Sequence, residues 1–198
     1  MCTRYLILTA WLVAGGSSCL AQTPAPTASD RFEYKVLATN KTSTMQKEMT
    51  EAAEAGFRFE AVMGGQTSFG GNEAVVIMGR PLEATTKARF RYKLLATSKT
   101  STMQKEMQEA GDEGFFYRGQ TVFASTFGGK EVAVILELDR EASPARYEYR
   151  LLATKKTSTM QKELSEAAER GFVFVGVTIA ETALGGTEVV SILRRAAK

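Results

Sequence analysis

The sequence predicts an α+β fold of three tandem β-α-β-β repeats, each a small three-stranded sheet packed by one amphipathic helix. Two observations carry that prediction. The octapeptide KTSTMQKE stands at Lys41–Glu48, at Lys99–Glu106 and at Lys156–Glu163 without a substitution. Around it runs a longer repeat: RFEYKVLAT from Arg31, RFRYKLLAT from Arg89 and RYEYRLLAT from Arg146. The copies align without an internal gap as far as the Gly-Gly pairs Gly70-Gly71, Gly128-Gly129 and Gly185-Gly186. Self-similarity at a fixed spacing decides architecture before any motif is weighed. The repeats cover residues 31–80, 89–138 and 146–195, and the connectors carry Pro81 and Pro144.

Each repeat opens on a strand. Phe32, Tyr34, Val36 and Ala38 alternate with Glu33, Lys35 and Leu37, the period of two expected when one strand face is buried. Phe90, Tyr92, Leu94 and Tyr147, Tyr149, Leu151 repeat the pattern, and the first strand is expected over Phe32–Ala38. A helix follows. Met45, Met49, Ala52 and Ala53 fall on one helical face, as do Met103, Met107, Ala110 and Met160, Leu164, Ala167, Ala168. Helices are expected to begin near Ser43, Ser101 and Ser158, because each serine has capping-box spacing to Gln46, Gln104 or Gln161. They should end at Gly56, Gly114 and Gly171, where glycine adopts the left-handed cap without steric cost.

An aromatic second strand comes next, at Phe57-Arg58-Phe59, Phe115-Phe116-Tyr117 and Phe172-Val173-Phe174. It is expected over Phe57–Val62 in the first copy. After the Gly-Gly turn an apolar third strand is expected at Ala74–Met78, Val132–Leu136 and Val189–Leu193. A unit of about 50 residues buries too little surface to be safely stable alone. The repeats should therefore share a core or their sheet edges, since free edges invite aggregation.

The Y-K-(V/L)-L strand, the amphipathic helix and the E-x-G-aromatic step, as at Glu54–Phe57, resemble the small bacterial domains of unknown function numbered 4177. Where that family usually carries Trp after the glycine, this chain has Phe57, Phe115 and Phe172. The resemblance spans nearly all of each repeat. It implies a β-α-β-β fold and supplies no activity, because the family has none assigned.

Residues 1–21 read as a secretory signal: Arg4 is the positive region, Tyr5 to Gly16 the apolar run, and Ser17 to Ala21 a small-residue exit. The run is short for a membrane span, and no transmembrane segment is expected in the mature chain. Residues 22–30, QTPAPTASD, read as a flexible tether. Cys2 and Cys19 are the only cysteines. Cleavage after Ala21 yields a cysteine-free secreted or periplasmic protein; alternatively Cys19 becomes a lipidated first residue that anchors the chain. In neither case is there a disulfide framework.

With 25 basic and 22 acidic residues the net charge is +3, too small for a single-sign field, and no nucleic-acid partner is expected. Histidine is absent altogether. Ser-His-Asp and Cys-His nucleophiles, and zinc sites built on His or Cys, are thereby excluded, and no cofactor is expected. A carboxylate-based hydrolase-like enzyme stays open as one alternative and a purely structural assembly module as another. The Gly-Gly pairs lack the Gly-Lys-Thr/Ser of a phosphate loop and read as hairpin turns.

Within KTSTMQKE, the methionine is core and the Ser/Gln pair is helix-start chemistry. Lys41, Thr42 and Thr44, with Lys99, Thr100, Thr102 and Lys156, Thr157, Thr159, have no such reason to be identical. By contrast, the segment from Arg58 to Ser68 keeps no position in all three copies. The nine residues are thus candidates for binding an anionic ligand at the free N–H groups of a helix start, or for meeting a partner such as an envelope protein. Duplication too recent to have drifted is the competing explanation. The function expected is that of an exported, non-catalytic repeat protein that binds a ligand or partner in the cell envelope.

Overall fold

A computed structural model describes residues 31–67, 71–84, 88–124, 130–181 and 186–197. The signal segment, the tether, Cys19, and Gly70, Gly128, Gly129 and Gly185 of the turns lie outside the described residues. The first repeat holds β1 (Phe32–Thr39), α1 (Thr42–Glu54), β2 (Arg58–Thr67) and β3 (Gly71–Pro81). The second holds β4 (Phe90–Thr97), α2 (Thr100–Asp112), β5 (Phe116–Ala124) and β6 (Lys130–Asp139). The third holds β7 (Tyr147–Thr154), α3 (Thr157–Glu169), β8 (Val173–Glu181) and β9 (Thr187–Ala196). The second and third strands run longer than their apolar cores suggest, because ladder pairing continues into polar positions such as Gln66↔Asn72.

In each repeat the last strand takes the centre of the sheet, in the orders β1-β3-β2, β4-β6-β5 and β7-β9-β8. All pairs are antiparallel. The register of the second strand slips at Phe59/Ala61, Tyr117/Gly119 and Phe174/Gly176, so every copy carries a bulge at one offset. The three first strands and the three second strands are therefore all sheet edges.

The helix starts differ from the capping-box expectation. Lys41, Lys99 and Lys156 occupy the N-cap positions, and no side chain caps any of the three helices. Gln46 then falls two residues beyond the position from which a capping box reaches back. The turn before each helix is held instead by the threonine of the LAT sequence. Thr39, Thr97 and Thr154 accept the N–H of that lysine through Oγ1 at 3.1, 3.2 and 3.2 Å. The ends are as expected. Gly56, Gly114 and Gly171 have φ of 88°, 90° and 81°, and Phe57, Phe115 and Phe172 donate their N–H back to Ala52, Ala110 and Ala167.

The repeats are packed together, and the core lies between them. Met45, Met49, Ala52, Phe57, Val76 and Met78 of the first repeat form one cluster with Tyr92, Ala133 and Ile135 of the second. Met103, Met107, Phe115 and Leu136 form another with Tyr149, Val190 and Ile192 of the third. Among the described residues the third helix has no such neighbour, and its cluster is reduced to Ala167, Phe172 and Leu193. Each helix thus needs its own sheet for one side and the next repeat for the other. The burial expected of Phe32, Tyr34 and Val36 does not occur: all three are exposed. The same face in β4 and β7 is covered by the preceding repeat, and among the described residues no repeat stands before β1.

Two glycine caps separate conformational cost from crowding. A Cβ on Gly171 would meet nothing within 4 Å, whereas on Gly114 it would stand 2.7 Å from the Ala145 carbonyl oxygen. Gly171→Ala is expected to cost about 1 kcal/mol for its positive φ, and Gly114→Ala distinctly more. Paired chemical-denaturation curves measure the difference.

Candidate functional site

The junctions between repeats hold the most specific polar chemistry of the described residues. Gln46 projects from α1 to the free edge of β4. Its Nε2 donates to the Tyr92 carbonyl at 3.0 Å, and its Oε1 accepts the Leu94 N–H at 2.7 Å. Gln104 repeats the clamp on β7, with Tyr149 O at 2.9 Å and Leu151 N at 2.7 Å. Gln108 adds a second rung there, through Tyr147 O and Tyr149 N. A side-chain amide carries one acceptor and two donors, so it can pair an edge strand as a neighbouring strand would. The glutamines thereby close edges that would otherwise be open.

A tyrosine returns the contact from the other side. The Tyr92 hydroxyl accepts the Phe59 N–H at 2.7 Å and donates to Glu137 Oε2 at 2.7 Å. The Tyr149 hydroxyl accepts the Tyr117 N–H at 2.7 Å and donates to the Phe115 carbonyl at 3.0 Å. These bonds fall at the bulges, where the second strand would leave an N–H unpaired. Burial pushes both phenols well above their ordinary value, and the Glu137 carboxylate adds to the effect at Tyr92. Burial alone raises Tyr117 to about 12. The rings of Phe59 and Tyr117 in turn rest over Gly119 and Gly176 of the following repeat.

One slot in this frame changes chemistry from junction to junction. Between repeats one and two it holds an ion pair: Arg58 Nη2 lies 2.9 Å from Glu137 Oε1, which raises the guanidinium pKa, and the Arg58 guanidinium lies over the Phe90 ring. Between repeats two and three the corresponding positions are Phe116 and Arg194, and the guanidinium stacks 3.6 Å from the ring centroid. Phe116 also meets Tyr147 edge-on. A cleft of about 910 Å³ opens beside Arg58, Arg118, Glu137, Asp139 and Arg146. Its four carboxylates are engaged: Glu137 by Arg58 and Tyr92, Asp112 by Gln108, Glu113 by Lys93, and Asp139 by Arg89, which holds that carboxyl below its ordinary range.

The nine residues singled out in the sequence lie at the three helix starts. Lys41, Lys99 and Lys156 are exposed; Thr42, Thr44 and Thr100 are half-buried; Thr102, Thr157 and Thr159 are exposed. Thr100 donates to Glu188 Oε1 of β9 at 2.8 Å, so a carboxylate stands at the start of α2. Contacts between repeats run from helix to strand and from strand to strand, and the Thr100 bond ties the start of α2 to the third repeat. Sequence reasoning missed Gln46, Gln104 and the tyrosines as junction residues. The signal is the unvarying Gln of KTSTMQKE, whose spacing to the serine also fits a helix cap.

Among the described residues, no group of three or more His, Cys, Asp or Glu is placed to hold a metal ion. No helix among them is long and apolar enough to cross a membrane. Comparison with protein-family models, with curated proteins and with solved structures finds no match to this chain.

Removing a clamp should cost more inside the array than at its end. Gln46→Ala and Gln104→Ala each leave part-buried edge groups unpaired and should lose about 1–3 kcal/mol, while Gln161→Ala leaves folding stability unchanged in the dilute chain. Thermal melts of the three variants check this. The raised phenols also set a pH dependence. Their contribution is fully present below the unfolded value of about 10 and declines as pH rises from there towards the folded values. Denaturation midpoints should fall between about pH 10 and about pH 12, and Tyr149→Phe should make the fall shallower.

Proposed function

We propose that the chain is an exported, non-catalytic repeat protein that binds or scaffolds a partner in the cell envelope through the two end faces of its array. One observation carries this reading. Tyr92 and Tyr149 are 7% and 2% exposed, yet the equivalent Tyr34 is 60% exposed; Phe59 and Tyr117 are 2% and 8% exposed, yet the equivalent Phe174 is 53%. The residue types are those of a junction, and no neighbouring repeat covers them among the described residues. Phe32, Val36 and Met63 extend the first end face, and Val173, Val177 and Ile179 extend the last. Arrays of repeats need polar caps when their ends face water, and apolar end faces rimmed by polar groups mark interaction surfaces.

Other features support the same reading. The amino-terminal segment has the order of a secretory signal. The carboxylates that line the large cleft serve as partners of arginine, lysine, tyrosine and glutamine side chains, which favours a structural role over acid–base chemistry. Thr100 meets a carboxylate, which favours contact between repeats over an anion as the use of the helix starts. The resemblance to the family numbered 4177 bears on fold and adds no activity.

The test passes an envelope extract over two immobilised chains, wild type and one carrying both Val36→Glu and Ile179→Glu. Both substituted side chains are exposed, so melting temperatures should match. Retention of a partner by the wild type and its loss from the double variant is expected, with the natural chain recovered from the envelope beginning at Gln22. Equal retention by the two chains, or recovery of the uncleaved chain in the cytosol, would overturn the proposal.

A further inference from the structure

We infer that the partner of each end face is the opposite end face of a second copy, so that chains join head to tail. The inference rests on the proposed use of the end faces and names their occupant. The first repeat of one chain would stand where a fourth repeat would follow the third repeat of another. The interface is then a continuation of one the chain makes twice within itself.

The donors and acceptors needed for that continuation are in place. Gln161 holds the position of Gln46 and Gln104, is exposed, and leaves α3 towards no neighbour among the described residues. On β1 of a second copy, Tyr34 and Val36 hold the positions of Tyr92 and Leu94, whose carbonyl and N–H the internal glutamine binds. The Tyr34 hydroxyl likewise matches those of Tyr92 and Tyr149, and the Phe174 N–H matches the N–H groups they accept from Phe59 and Tyr117. Leu164, half-buried on α3, matches the fully buried Met49 and Met107. Val36 stands opposite Ile77 in the ladder, so these two residues of the receiving face share one side of the sheet.

The variable slot gives an independent check, because it could have forbidden the contact. Its pairs are Arg58 with Glu137 and Phe116 with Arg194 inside the chain. At the intermolecular junction it would pair Val173 with Gly79, beside Phe32 in the place of Phe90 and Tyr147. An arginine or glutamate on one side alone would have buried an unpaired charge. Instead the third pair is apolar, small and uncharged. One seat is tighter: Ala61 takes the place of Gly119 and Gly176, under the rings of Phe59 and Tyr117. A Cβ at Gly119 would lie 3.2 Å from the Phe59 ring, so Phe174 must ride a few tenths of an ångström higher.

Such a contact joins two different surfaces, so it closes into a ring or runs on as a filament according to the rotation between copies. The test exploits that polarity. Sedimentation velocity of the wild-type chain should show mass rising with concentration. Val36→Glu blocks the receiving face and Ile179→Glu the donating face, and each variant alone should be monomeric. Mixed in equal amounts they should form a one-to-one complex and nothing larger, since one good face of each kind remains. Gln161→Ala should weaken wild-type association at least about tenfold, about 1.4 kcal/mol, with its melting temperature unchanged.

Two results would overturn the inference: a wild-type chain monomeric at every concentration, or a single-face variant that still dimerises, which would mean like faces pair. If the wild type stays monomeric while the immobilised chain retains an envelope partner that the double variant loses, self-association falls and the proposed function stands. If neither occurs, both fall.

Discussion

A helix that offers an apolar row and one glutamine to the edge of the next sheet is the interaction on which the rest of this structure depends. The row fills a core that no single repeat can complete, and the amide satisfies two backbone groups on a strand that would otherwise be an open edge. Three-stranded sheets of this size are marginal alone because too much of their surface stays wet. Coupling each helix to two sheets makes the hydrophobic term and the polar term point the same way. The cost of losing a neighbour is correspondingly visible in the third repeat, where the buried cluster shrinks to three residues.

The junctions tolerate change in one slot and not in others, and the physical reason is local. The glutamine clamp binds backbone atoms, whose positions are fixed by the ladder whatever the side chains are. Its geometry therefore recurs within a few tenths of an ångström at both junctions. The slot at Arg58 and Phe116 binds a side chain at the rim, where a charged pair and a cation–π stack can fill the same space. Close approach of neighbouring repeats imposes a third constraint. A Cβ at Gly111 would run into the Tyr147 carbonyl, and one at Gly64 would stand 2.5 Å from the Val122 carbonyl oxygen.

The two helix-anchoring devices show a similar economy. In repeats one and three an arginine of the central strand, Arg80 or Arg195, bonds a first-strand glutamate and the carbonyl of the residue that caps the helix, Ala55 or Arg170. It also covers the buried phenylalanine after the glycine cap, at 4.6 and 4.4 Å. In the second repeat that strand position is Leu138, and Arg91, its ladder partner, moves over Phe115 instead. The ring is covered from either strand because the two positions face each other across the pair.

Sequence alone determined the number of repeats, the order of their elements and the glycine that ends each helix. Those features rest on short-range periodicity and on backbone conformations that particular residues favour, and both are written within a few neighbouring positions. It misjudged the role of Gln46 and the burial of β1. A capping box and an inter-repeat clamp use the same residue type, and only the partner, 46 residues away in Tyr92, tells them apart. Likewise Phe32, Tyr34 and Val36 carry the same alternation as their buried counterparts. Whether such a face is covered depends on what stands next to it in space, and no local pattern encodes a neighbour. Tertiary structure decided that the repeats share their cores, and that the described array presents two uncovered faces of the kind it buries within.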